Sequence, residues 1–228
     1  MKTGKKRAES TMIIFMVVIV LFCFGNKIGW LGNVNVVDVD AEVEMKKIAL
    51  TFDDGPHPFY TRELLDGLKE RGVVVSFFVT GEHAALHPEE IKRMSEEGHL
   101  IGNHTYSHIQ LTKQNREIYK QELLDTSVLI ESITGEAPQY VRPPYGSWDK
   151  SLEEELDMFP VLWTVDPLDW CSDNVESITR RVISKAEEND IILMHDYYES
   201  SVTAALKIVD ALLEKGFVFV TVEEVLFE

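Results

Sequence analysis

The sequence predicts an α/β fold: a closed or nearly closed β/α barrel of about seven parallel strands, with an open doubly wound sheet as the alternative. Three observations predict it. Seven short apolar runs alternate with six amphipathic segments, the pattern of repeated βαβ units. Several runs are apolar at consecutive positions, as strands covered on both faces are. Glycines stand just past the amphipathic segments, where a left-handed residue ends a helix.

The first run, 48–52, lies between Lys46-Lys47 and the turn signal Asp53-Asp54-Gly55-Pro56. Segment 61–71 carries Leu64, Leu65 and Leu68 on one face and stops at Gly72. The run 73–79, VVVSFFV, is rich in β-branched and aromatic residues. Segment 88–97 starts with Pro88, which suits a first helical turn, and stops at Gly98. A short run at 100–101 leads to the longest helix, 116–134, closed by Gly135. Run 140–141 precedes segment 149–158, for which Asp149 is a candidate N-cap. Run 161–165, segment 175–189, run 191–194, segment 200–215 with Gly216, and run 217–222 complete the series. There is no internal repeat.

With 228 residues, the chain suits one domain with a full core and a short appendage. Its net charge is −17, and the first 27 residues are basic, so the remainder is more acidic still. Such a surface repels phosphate backbones, which excludes nucleic acid as a partner. Residues 2–7 are basic and 12–24 form an unbroken apolar run of 13, short of the roughly 20 residues of a spanning helix. That matches an export signal or N-terminal membrane anchor over 1–27. Residues 28–44 read as a stalk and 45–228 as the folded body, placed outside the cytoplasm. One of the two cysteines lies in the apolar run, leaving Cys171 a lone thiol.

The residues after the strands carry chemistry. The first strand ends in Asp53-Asp54 and the third runs into Asn103-His104-Thr105-Tyr106-Ser107-His108. The fourth leads to Arg142-Pro143-Pro144-Tyr145-Gly146, the fifth to Asp166-Pro167-Leu168-Asp169-Trp170, and the sixth to His195-Asp196. In β/α barrels the active site is assembled at this end. His104 and His108 are four apart, so both imidazoles can face one ion on a helical or tightly turned segment. One carboxylate from the first strand would complete three ligands with an open position, as in catalytic zinc sites. A divalent cation would also remove the repulsion between adjacent Asp53 and Asp54.

Five segments together resemble the polysaccharide deacetylases, the carbohydrate esterase family 4 enzymes that share the NodB homology domain. They are Thr51-Phe52-Asp53-Asp54-Gly55, His104-Thr105-Tyr106-Ser107-His108, Arg142-Pro143-Pro144-Tyr145, Asp166-Pro167-Leu168-Asp169-Trp170 and Leu193-Met194-His195. The match spans about residues 46–226, and its fold would be a distorted β/α barrel. The resemblance implies that Asp54, His104 and His108 hold a divalent metal, zinc first, with cobalt, nickel or manganese as alternatives. It makes Asp53 the general base and His195 the general acid. Arg142 would hold Asp53, Asp169 would orient His195, and the backbone N–H of Tyr145 would stabilise an oxyanion. Trp170 and Leu193 would wall the pocket for the acetyl methyl.

The implied reaction is hydrolysis of N-acetyl groups on N-acetylglucosamine residues of a polysaccharide, peptidoglycan first, with release of acetate. Chitooligosaccharides and O-acetyl esters of the xylan type are alternatives. Two rivals differ in kind. A glycosidase would need facing carboxylates about 5–9.5 Å apart, which adjacent aspartates suit poorly. A silent wall-binding module would lack the base or the acid, and both are present. A membrane contact through the N-terminal segment and a monomer are expected. Arg142 with Asp169 as a structural ion pair is the duller alternative for those two. His57 reads as a turn residue, while His83, His87, His99 and Glu82 read as having no chemical part.

Overall fold

The computed structural model of the chain describes residues 45–227; the expected export segment and stalk lie outside the described residues. Seven strands form one sheet in which every pairing is parallel: β1 (Lys46–Asp53), β2 (Ser76–Val79), β3 (Leu100–Asn103), β4 (Tyr140–Val141), β5 (Phe159–Pro160), β6 (Ile191–His195) and β7 (Phe217–Val220). Their order is β5-β4-β3-β2-β1-β6, with β7 pairing the first half of β1. Strand β1 is central because Ile48 to Asp53 are all buried, so both its faces are covered.

The helices are α1 (Tyr60–Arg71), α2 (Gly81–Leu86), α3 (Pro88–Glu96), α4 (Arg116–Thr134), α5 (Ser151–Leu156), α6 (Val175–Ile183), α7 (Glu199–Glu214) and α8 (Val222–Leu226). Each long helix buries one stripe. In α4 it is Tyr119, Leu123, Thr126 and Ile130; in α7 it includes Val202, Ala205, Ile208, Val209 and Leu212. Gly72, Gly98, Gly135 and Gly216 all take positive φ, as their places after helices require.

The expected run at 161–165 is not a regular strand, and the reason lies in one side chain. Arg142 Nε donates to the Val161 carbonyl at 3.1 Å and its Nη2 to the Leu162 carbonyl at 3.4 Å, so these acceptors are diverted from a ladder. The segment still joins the two ends of the sheet. Val161 N–H donates to the Val141 carbonyl at 2.8 Å, and an isolated parallel bridge pairs Val165 with Ile192. This contact bends the sheet into a distorted barrel rather than an open doubly wound layer.

Other boundaries moved for local reasons. The strand expected from 73 starts at Ser76, because the Val75 N–H is taken by His99 Nδ1 at 3.1 Å. Helix α6 stops at Ile183 instead of 189, and the Asp190 carboxylate caps the following turn through Glu187 N–H at 2.7 Å. Helix α5 covers only Ser151–Leu156; Asp149 accepts from Ser151 N–H at 3.0 Å one residue ahead of the Lys150 N-cap. Two helices were not expected: α2, and α8, which the Thr221–Glu224 capping box starts.

Candidate metal centre and active site

Parallel pairing in register sets Asp53 opposite His195, and Thr51 opposite Leu193. Residues two apart on a strand share a face, so these four side chains share the same side of β1 and β6. Arg142, 0% exposed, reaches them from the end of β4. Its Nη1 donates to Asp53 Oδ1 at 2.8 Å and to Thr51 Oγ1 at 2.6 Å. The guanidinium carbon lies 4.2 Å from the centroid of the Phe78 ring. Four hydrogen bonds to two side chains and two carbonyls satisfy the buried cation, the condition under which such a group is tolerated in an interior. Asp53 Oδ2 is left facing His104 Nε2 at 3.8 Å.

Asp54, His104 and His108 converge as the sequence reading expected, with one ligand atom of each within 4.8 Å of the others. Both imidazole Nε2 atoms stand 3.4 Å from Asp54 Oδ1. That oxygen is buried and has no hydrogen-bond partner. A buried, unpartnered carboxylate oxygen flanked by two imidazole nitrogens is the donor set a divalent cation satisfies. His104 is already oriented for it, since its Nδ1–H donates to the Arg142 carbonyl at 2.6 Å, which leaves Nε2 as the free lone pair. Burial alone would raise the Asp54 pKa, but the nearby imidazoles of His104, His195 and His108 outweigh it and hold it at about 2. Burial lowers the His108 pKa, against an opposing pull from Asp54, which favours the neutral, ligating form.

The histidine pair is not helical. Thr105 and His108 adopt left-handed φ of 62° and 58°, as do Asp54 at 72°, Tyr145 at 58° and Leu168 at 59°. Each such non-glycine residue costs on the order of 1–3 kcal/mol, so the surrounding structure must impose it. Here Asn103 and Glu122 do so. Asn103 Oδ1 accepts from Thr105 N–H at 2.8 Å while its amide donates to the Leu123 carbonyl at 2.8 Å. The Glu122 carboxylate accepts from the N–H groups of Tyr106 and Ser107 at 3.2 and 2.9 Å. Sequence reading missed both as site residues. Asn103 had a signal, its place beside His104; Glu122, inside a helix, had none.

Asp169 does not pair with Arg142, so the structural ion pair is ruled out. It grips His195 instead. Its Oδ1 lies 2.9 Å from His195 Nδ1, and its Oδ2 accepts from the His195 backbone N–H at 2.9 Å. Burial disfavours the imidazolium, but the Asp169 hydrogen bond and the carboxylates of Asp169, Asp53 and Asp54 prevail and raise its pKa to about 9. His195 Nε2 points toward Asp54 Oδ2 at 4.0 Å.

The remaining expected residues fall around this core. Tyr145 sits in a 3-10 turn, Pro144–Gly146, whose own hydrogen bonds run from Gly146 N–H to Pro143 and from Ser147 N–H to Pro144, not from Tyr145 N–H. Its ring meets His108 edge-on at 4.9 Å. Trp170 is 54% exposed, whereas Leu193 is 4% exposed within β6. Cys171 is a free, exposed thiol. Asp196, directly after β6, is wholly buried, accepts from Thr61 Oγ1, and occupies the space where a Cβ on Gly55 would lie. His57 is a turn residue as read, its Nδ1 accepting from Tyr60 N–H at 3.2 Å. His83 is not inert, for its Nδ1 lies 2.6 Å from the Asp54 carbonyl oxygen.

Known proteins share this arrangement of chain and fold. A family model described as polysaccharide deacetylase matches residues 40–161. The peptidoglycan-N-acetylmuramic acid deacetylase PdaC of Bacillus subtilis (strain 168) is 41% identical over 179 residues, covering 78% of this chain and 38% of that protein. A peptidoglycan-N-acetylglucosamine deacetylase of Bacillus cereus is 39% identical over 185 residues, covering 77% of this chain and 66% of that protein. The solved structure of PdaC superimposes with a TM-score of 0.77 at 41% identity, over 80% of this chain and 90% of that one. This chain thus matches less than two thirds of the length of these two curated relatives.

Proposed function

Because the chain belongs to the polysaccharide deacetylase family, we propose that it removes N-acetyl groups by hydrolysis from N-acetylglucosamine residues of a polysaccharide, peptidoglycan first, releasing acetate. The observation that carries this reading is the division of labour between neighbouring aspartates. Asp54 offers an unpartnered buried oxygen to two histidines, while Asp53 is bound through Oδ1 by a buried arginine, which would keep Oδ2 for proton transfer.

Asp54, His104 and His108 would hold the metal, zinc first. When bound, it supplies Lewis acidity that polarises the acetyl carbonyl and makes a water acidic. The chain's own residues do the rest. Asp53 Oδ1 is engaged by Arg142, so Oδ2 accepts the proton of the attacking water. The Tyr145 N–H donates to the carbonyl oxygen as negative charge develops on it. His195, with its Nδ1 held by Asp169 and its pKa at about 9, is protonated at neutral pH and gives its Nε2 proton to the departing amine. An amide requires this step, because an unprotonated amine is a very poor leaving group. Trp170 and Leu193 bound the space for the acetyl methyl.

The names of the relatives support a peptidoglycan substrate and action outside the cytoplasm. Residues 1–27 would direct export, as a cleaved signal or as a membrane anchor, and a monomer is sufficient for the site. No helix among the described residues is long and apolar enough to cross a membrane. The test is mass spectrometry of purified cell-wall fragments and chitooligosaccharides after incubation with enzyme and zinc. A product lighter by the difference between an N-acetyl group and a free amine, with matching free acetate, is the expected result. Cell-wall fragments of unchanged mass, or modification confined to muramic acid, would refute the assignment.

A further inference from the structure

We propose that His83 is a positioning residue for the metal loop: its Nδ1–H holds the Asp54 carbonyl and thereby sets where the Asp54 carboxylate points. The inference rests on the reading of Asp54 as a metal ligand. His83 lies in α2, and its Nδ1 is 2.6 Å from the Asp54 carbonyl oxygen. A carbonyl can only accept, so Nδ1 carries the proton. Thr80 Oγ1 is 3.0 Å from the same nitrogen, and Thr80 N–H donates to the Gly55 carbonyl at 3.2 Å. The start of α2 therefore grips two consecutive carbonyls of the metal loop.

That grip falls where the backbone needs it. Asp54 has φ 72°, a conformation a non-glycine residue keeps only when its surroundings impose it. Rotation of the Asp54–Gly55 peptide would move the carboxylate relative to the two Nε2 atoms that now stand 3.4 Å from it. The His83 ring is itself held in place. It packs against the Tyr197 ring at 5.0 Å, and Tyr197, two residues past His195, also meets the His57 ring edge-on at 4.9 Å. His83 thus couples the loop carrying the ligand to the loop that follows β6. It acts through Asp54.

The test compares His83→Ala, His83→Asn and His83→Gln in the full chain. Asparagine can place an N–H donor where Nδ1 stands, while glutamine places it farther out, where Nε2 stands. Three quantities are measured: zinc affinity of the metal-free protein by competition with a chromogenic chelator, kcat and KM for acetate release, and Tm of the metal-free protein. The alanine and glutamine variants are expected to bind zinc about tenfold to a hundredfold more weakly. Their kcat should fall while KM stays within about twofold. The asparagine variant should retain nearly all of the affinity and turnover. Zinc affinity of the alanine variant within about twofold of wild type overturns the proposal, as does an asparagine variant as impaired as alanine. If the alanine variant does not fold, equal zinc affinities in the asparagine and glutamine variants overturn it. A wild-type chain that binds no divalent metal overturns the proposed function together with this inference. A zinc-binding wild type with an unaffected alanine variant overturns this inference alone.

Discussion

Asp169 holds His195 at two points, side chain and backbone, each at 2.9 Å. One carboxylate thus fixes both the ring and the peptide that carries it.

Loss of that grip should show in pH dependence. His195 must be protonated to act as an acid, so activity should fall as pH rises through its pKa of about 9. Asp169→Asn removes the charge that sustains the imidazolium. The basic limb of the kcat/KM profile should move to lower pH, and kcat should drop about a hundredfold. The same shift bears on stability. A histidine whose folded pKa lies above its unfolded value of 6.5 stabilises the fold fully below 6.5, and that contribution is lost as pH rises toward about 9. A basic limb unchanged in the variant would remove His195 from the acid role.

Metal binding and turnover should separate at the aspartate pair. Asp53→Asn should keep metal stoichiometry and lose acetate release by about a thousandfold or more. Asp54→Ala, His104→Ala and His108→Ala should lose both. Chelator treatment of the wild type should abolish turnover, and added zinc should restore it. Metal content by mass spectrometry beside acetate assays checks all of these; an Asp53→Asn enzyme that still turns over would end its assignment as the base.

Arg142 should matter for folding as well as catalysis. Removing one partner of a buried ion pair leaves the other charge uncompensated, at about 3–5 kcal/mol. Arg142→Met strands Asp53 and frees the Val161 and Leu162 carbonyls. A denaturant titration should show a loss of that size, and Arg142→Lys, which cannot reach all four acceptors, should recover only part of it.

His99 should make the fold acid-sensitive independently of the metal. Burial lowers its pKa to about 4, and its Nδ1 accepts from the Val75 N–H, which requires an unprotonated nitrogen. The unfolded chain protonates it near 6.5, so its contribution is fully present above pH 6.5 and lost as pH falls toward 4. The integrated effect is up to about 3 kcal/mol. His99→Asn keeps an acceptor without titrating. Stability of the variant relative to wild type should therefore rise between pH 6.5 and 4, and a difference independent of pH would contradict the assignment.

Much of the site was legible because its residues stand at strand ends in recognisable segments. Asp53, Asp54, His104, His108, Arg142, Asp169 and His195 all come together. What escaped reading acts through the backbone of distant residues. His83 binds a carbonyl 29 positions away, and Glu122 binds two N–H groups on another element. Nothing in residue type marks a side chain for such a partner.

By itself the sequence determined the alternation of strands and helices, the glycine stops and the residue types delivered to one end of the sheet, because periodicity and turn chemistry act over a few neighbours. Only the tertiary structure decided that 161–165 would split between β4 and β6, that Asp54, Thr105, His108, Tyr145 and Leu168 around the site would turn left-handed, and that His104 would present Nε2. Each of these depends on a hydrogen bond or packing contact between residues far apart in the chain, and such contacts exist only once the barrel has closed.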